Sequence, residues 1–305
     1  MIRNVSLVVL TVLLAVPEGA RPATSAAVEA PLELDRNILL VQVDIDGHGP
    51  FLAMLDTGTD PSAIDLMLAR ELALPLGGGG EIDGGGTRRE EAFPTQLASV
   101  RLGGMVVHDV TALAGESVGR LAKLIGRPLR VVLGKSFLNG RIVQIDFPGR
   151  VVRFFASPLA DLQPIAGRRA VLAARYDEDL AIEGVRVDDR AVRAILDTGS
   201  NGALKITPEG VTRLGLAAQA AQGEASDSTG YRGTYATREG HVRSLSLGGL
   251  EVDEPAAVFW SPGTGHDGMP WEVNIGNQVL AAFVVTLDLP DGRVILERPA
   301  PRPAP

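Results

Sequence analysis

The feature that most constrains this chain is that it is written twice. The run MLDTGT at 54–59 returns as ILDTGS at 195–200, which sets Asp56 and Asp197 141 residues apart. One Asp-Thr-Gly alone is weak, since chance supplies the triplet roughly once per several thousand positions. Here, however, the surroundings repeat in step. VVLGKSFL (131–138) returns as VNIGNQVL (273–280), and IDFPGRVVRF (145–154) as LDLPDGRVILE (287–297), both 142 residues on. RLGGMVVHDV (101–110) returns as SLGGLEVDEP (246–255), at a spacing of 145. Four landmarks in one order imply two copies of one structural unit.

Each copy is built from short Val-, Ile- and Leu-rich segments broken by turn signals such as DGHG (46–49), FPG (147–149) and PDG (290–292). These are strand and hairpin signals. Helical periodicity is confined to SAIDLMLARELAL (62–74) and PEGVTRLGL (208–216), one after each Asp-Thr-Gly. Aromatics are only 4% of the 305 residues, so Val, Leu, Ile and Ala must fill the interior. A chain of this length splits more readily into two cores than it fills one. The expected fold is therefore all-β, with two tandem lobes related by a pseudo-two-fold axis and one short helix in each. The expected bounds are 32–158 and 170–298, joined by a linker at 159–169 and followed by a tail at 299–305.

At the front, MIRNVSLVVLTVLLAV puts Arg3 ahead of an uncharged run from Val5 to Val16, and the small residues ATSAA follow at 23–27. This is the pattern of a secretory signal peptide, taken as residues 1–26. Its apolar run is short for a membrane span. The chain has no cysteine, so an exported protein of this sequence holds together without disulfides and has no thiol nucleophile or thiolate zinc site. The expected location is periplasmic or secreted, in a bacterial envelope, with no stable membrane insertion. A net charge of −8 argues against nucleic acid as a partner.

The paired loops carry the chemistry. A turn that lifts a carboxylate out of an apolar strand, made twice, allows two-fold packing to bring Asp56 and Asp197 face to face. Two carboxyls in contact share one proton, so one serves as base and the other as acid, as in the well-known aspartic protease dyad. Thr57 and Thr198 suit hydroxyls that bond backbone across the interface, and Gly58 and Gly199 permit close backbone approach. No cofactor or metal is needed. Gly134-Lys135-Ser136 lacks the earlier glycine of a phosphate loop. The four histidines have no metal-binding spacing. Trp260 and Trp271, beside a Gly-Pro-rich stretch, read first as packing or loop anchors and second as the lining of a substrate pocket.

The combination resembles the retropepsin-like and pepsin-like aspartic proteases. An apolar pair, Asp-Thr-Gly and a hydroxyl residue (Met54 to Thr59, Ile195 to Ser200) are followed by two apolar residues and glycine (Val132-Leu133-Gly134, Asn274-Ile275-Gly276). Asn274 departs from that pattern. The resemblance implies a β-barrel-like lobe and catalytic roles for Asp56 and Asp197. It gives Thr57, Gly58, Thr59, Thr198, Gly199 and Ser200 supporting roles in the two loops. It further implies a monomer with both halves in one chain, a polypeptide substrate, and a hairpin flap over the cleft. For the flap the sequence offers GGGGEIDGGGT (77–87), with Gly84, Gly85 and Gly86 as substrate-facing residues. Tyr231 and Tyr235 are candidate contacts from the second lobe. The expected activity is that of an aspartic endopeptidase; the alternative is a catalytically silent peptide-binding protein that keeps the cleft.

Overall fold

In a computed structural model, which describes residues 28–81, 89–155, 167–230 and 233–300, the IDF/LDL landmarks form the spine of the molecule. Ile142–Asp146 and Val284–Asp288 lie side by side and antiparallel, from Ile142↔Asp288 to Asp146↔Val284. The central pair of that register is Gln144 and Thr286, equivalent residues of the two copies, so the pseudo-two-fold axis passes between them. Gln144 Nε2 donates to Thr286 Oγ1 at 3.2 Å. Around this pair the sheet extends symmetrically. Val151–Phe155 and Val28–Pro31 add on one side, and Arg293–Pro299 and Gly167–Tyr176 on the other.

Each half then rolls a second layer over this spine. In the first half, Ile38–Ile45 and His48–Leu55 form a hairpin, and His48–Leu55 runs parallel to Leu129–Leu133. Glu91–Leu102 and Met105–Gly115 form a long hairpin that returns to Ile38–Ile45 through Asp44↔Arg101, closing the roll. The second half repeats the parallel pair as Ala194–Leu196 with Val273–Ile275. Its LGG turn likewise closes a hairpin, at Leu247↔Leu250, as the first does at Leu102↔Met105. The expected all-β, two-lobed architecture is the one found.

Three expectations change. Residues 62–74 are not one helix: Ala63–Asp65 is a strand, held between Met105–Gly115 and Leu129–Leu133. Only Leu66–Glu71 is helical, and Asp65 caps it by accepting from Leu68 N at 3.0 Å. Tertiary pairing overrides helical periodicity where apolar residues are claimed by the sheet. Among the described residues each half has three short helices rather than one: Leu66–Glu71, Glu116–Ile125 and Lys135–Leu138, then Pro208–Leu214, Ala217–Gln222 and Asn277–Leu280. Finally, the buried apolar residues do not form two separate cores. One contiguous cluster runs from Ala30 through Val143 and Val285 to Leu296, because the shared sheet has both halves packed on it.

The expected linker overlaps the strand Gly167–Tyr176 at residues 167–169, and its remainder lies outside the described residues, as do the proposed signal peptide and the end of the tail. No helix among the described residues is long and apolar enough to cross a membrane.

Candidate active site

Both Asp-Thr-Gly loops leave the end of a strand that is paired in parallel with the strand of the VLG or NIG landmark. Asp56 N donates to Leu133 O at 3.0 Å and Asp197 N to Ile275 O at 2.9 Å, so each carboxyl-bearing residue is pinned at its base. The loop then crosses directly over the landmark glycine. A β-carbon at Gly134 would overlap the carbonyls of Thr59 and Pro61, and one at Gly276 would lie 2.7 Å from Ser200 O. The second landmark repeats because any larger residue would push the first one out of place.

The two loops meet at the axis. Thr57 Oγ1 donates to Leu196 O at 2.7 Å, and Thr198 Oγ1 donates to Leu55 O at 3.0 Å. Each threonine hydroxyl also accepts from the other's backbone: Thr57 N to Thr198 Oγ1 and Thr198 N to Thr57 Oγ1, both at 3.0 Å. Both threonines are wholly buried. With about 1 kcal/mol net for each bond, this ring of four rigidly registers one half against the other. Asn277 reinforces it, its Nδ2 donating to Thr198 O and, across the interface, to Asn37 O, each at 2.7 Å.

This registration brings the carboxyls together. A β-carbon at Gly58 would sit 2.8 Å from Asp197 Oδ1, and one at Gly199 would overlap the Asp56 carboxyl, so each glycine abuts the acid of the opposite half. Burial, the charge of Asp197 and a hydrogen bond between the two side chains hold Asp56 well above the ordinary carboxylate range, against the opposing bonds from Thr59 and Gly58.

The surroundings of the two acids are not equivalent. Asp56 accepts from Gly58 N at 2.8 Å and from Thr59 Oγ1 at 2.6 Å. Asp197 accepts from Gly199 N at 2.9 Å and Ser200 N at 3.2 Å. The Ser200 hydroxyl, counterpart of Thr59, is buried with no partner among the described residues. Its place is taken by Asn274, whose Nδ2 donates to Asp197 Oδ2 at 2.6 Å.

The pair lies at the floor of a cleft of about 720 Å³ between the halves. One wall is the Glu116–Ile125 helix, which presents Leu121 and Leu124. Among the described residues this helix has no counterpart in the second half, where Tyr235, Trp260, Trp271 and Ile195 cluster instead. His266 stacks on Trp260, with ring centroids 3.4 Å apart, and burial with nearby Lys205 pushes its pKa down to about 4. Trp271 Nε1 donates to Asp179 Oδ2 at 2.7 Å. Burial, with Asp197 adding to it, raises the Asp179 carboxyl.

Of the candidate substrate contacts, Tyr235 lines this cleft, while Tyr231, Gly84, Gly85 and Gly86 lie outside the described residues. The hairpin Glu224–Gly230 with Gly233–His241 lines the cleft through Thr229, Gly230, Gly233 and Thr234. Asn274, Asp179, Lys205, His266 and Met269 also line it and were not singled out as site residues from sequence. Asn274 alone had a readable signal, a polar residue where the first copy has Val132. Trp260 and Trp271 turn out to be both buried packing and cleft lining.

A family model described as aspartyl protease matches the chain over residues 41–137 and 184–277, one segment in each half and together more than half of its length. A search of curated proteins finds no match.

Proposed function

Because the chain belongs to the aspartyl protease family, we propose that it is a single-chain aspartic endopeptidase in which Asp56 and Asp197 together activate water against a peptide carbonyl. The observation that carries this reading is reciprocal: the glycine of each Asp-Thr-Gly loop abuts the carboxyl of the other half. In the reaction, the ionised carboxylate takes a proton from a water molecule as the water oxygen bonds to the carbonyl carbon. The protonated carboxyl meanwhile gives its proton to the carbonyl oxygen. Collapse of the tetrahedral diol then breaks the C–N bond: the carboxyl that took the water proton gives it to the leaving nitrogen, a diol hydroxyl returns its proton to the other carboxylate as the C=O of the acid product forms, and the dyad again holds one shared proton.

The substrate is an extended polypeptide laid along the cleft, with apolar side chains against the Tyr235, Trp260 and Trp271 wall and against Leu121 and Leu124. The chain acts as a monomer of two lobes, 32–158 and 170–298, after export to the periplasm or beyond and removal of residues 1–26.

The test is cleavage of an unstructured polypeptide at mildly acidic pH by mature protein. Asp56→Asn and Asp197→Asn should each lower kcat/KM by a factor of about a hundred to ten thousand. The double variant should be little worse than either, because the two acids act as a unit. A statine-type inhibitor should block the wild type. Peptide binding without hydrolysis from acid to neutral pH would instead identify a silent peptide-binding protein.

A further inference from the structure

The halves of this molecule repeat closely around the dyad, but at one position a buried polar residue stands where the other copy has an apolar one. The residue equivalent to Asn274 in the first copy is Val132, which is fully buried. The repeated unit therefore needs no polar group there. Asn274 is only 4% exposed, and its Oδ1 has no hydrogen-bond partner among the described residues. Burying an amide with an unmet acceptor costs folding free energy. The return for that cost is visible only at its other atom, the Nδ2 aimed at Asp197.

The donors around the two carboxyls differ in kind. The Thr59 hydroxyl on Asp56 can turn, donating to an ionised carboxylate or accepting from a protonated one. An amide N–H can only donate. Among the described residues Asp197 thus faces three obligatory donors, Gly199 N, Ser200 N and Asn274 Nδ2, whereas Asp56 faces one, Gly58 N, and the Thr59 hydroxyl. Donors to the charged form stabilise it. Asp56 is also the more buried of the pair, which favours its neutral form.

We infer that Asn274 is a positioning residue that breaks the symmetry of the dyad, holding Asp197 as the ionised base and leaving the shared proton on Asp56 as the acid. This rests on the protease reading, and it goes beyond it by assigning the roles. The raised carboxyl of Asp56 agrees with the assignment. Other charged or titratable groups face the pair: Asp179, Tyr176 and Tyr235, each of which senses the charge of Asp197, and Lys205, the cross-strand partner of Asn274, with His266 behind it. All are common to the proteins compared below, so the difference between them isolates Asn274.

The deciding experiment does not need turnover. In an Asp56→Asn background, full-length mature protein with 13C-labelled aspartate carboxyls is titrated by NMR, with and without Asn274→Val, the residue the first copy already tolerates. Loss of the amide donor should raise the Asp197 titration by about one to two pH units, as expected for a hydrogen bond to a charged group. An unmoved titration, or one that falls because the amide had presented its oxygen instead, overturns the assignment. Melting curves establish that the variants are folded, and Asn274→Leu, closer in volume, carries the same test if Asn274→Val does not fold. In the otherwise wild-type enzyme, Asn274→Val should move the acid limb of kcat/KM upward by a similar amount while the alkaline limb stays. A wild type that cleaves nothing would sink the protease reading and leave the NMR result to judge the role of Asn274.

Discussion

Asp56 is a carboxyl whose neighbours make it reluctant to ionise, and that reluctance has a measurable effect on stability. Its folded-state pKa is raised by burial first and by the charge of Asp197 second. A carboxyl raised on folding holds its proton in the native state after the unfolded chain has released it. Stability therefore falls as pH climbs from the unfolded value of about 4 through the raised native value. Asp56→Asn removes the like-charge repulsion, so its melting temperature should decline less steeply than that of the wild type between mildly acidic and neutral pH. Parallel melting curves for the two proteins across that range would contradict the coupling. Gly58, Gly199, Gly134 and Gly276 are equally specific at this scale. Their identity was readable as part of a repeat, but its reason, contact with a carboxyl or with a crossing carbonyl, lies in residues from other parts of the chain.

At the scale of elements, the strands and their turns were legible because period-two burial and hairpin residues act locally. Gly167–Tyr176 buries Ala170 and Leu172, half-buries Ala174 and Tyr176, and exposes Val171, Ala173 and Arg175 between them. The Glu116–Ile125 helix was missed: Val118, Leu121, Ala122 and Ile125 do recur at helical spacing, but over only ten residues and with Gly119 among them. The Glu224–Gly230 and Gly233–His241 hairpin buries only Tyr235 and Thr237 among its described residues, so little packing holds it down over the cleft. Elements with few buried contacts open locally at low cost. Replacing Thr229–Thr234 by a two-residue glycine turn should raise KM by about tenfold, a loss of about 1.4 kcal/mol in binding, with the melting temperature nearly unchanged. Steady-state kinetics on a reporter peptide beside a thermal melt would check this; an unaltered KM would remove the hairpin from substrate contact.

The whole molecule is more united than its two-copy sequence suggests. Ile142–Asp146 and Val284–Asp288 are neighbours in one sheet, the buried apolar cluster runs across them, and four threonine-centred bonds tie the loops together. Neither half can expose its side of that sheet without stripping the other of its partner. Thermal unfolding should accordingly proceed in one transition, with calorimetric and van't Hoff enthalpies in agreement. Two resolved transitions, or a first half that folds when expressed alone, would show the lobes to be independent.

The sequence by itself determined what is local or repeated: a mostly β chain, a duplicated unit, two acids at equivalent places, and the glycines that travel with them. Those properties follow from strand periodicity, turn chemistry and self-similarity, which are all written along the chain. Only the tertiary structure decided that one core serves both halves, that a helix walls one side of the cleft and aromatic rings the other, and that the two acids sit among different donors. Asn274 reaches Asp197 across 77 residues of sequence, and no local pattern specifies a partner at that distance; packing around the axis does.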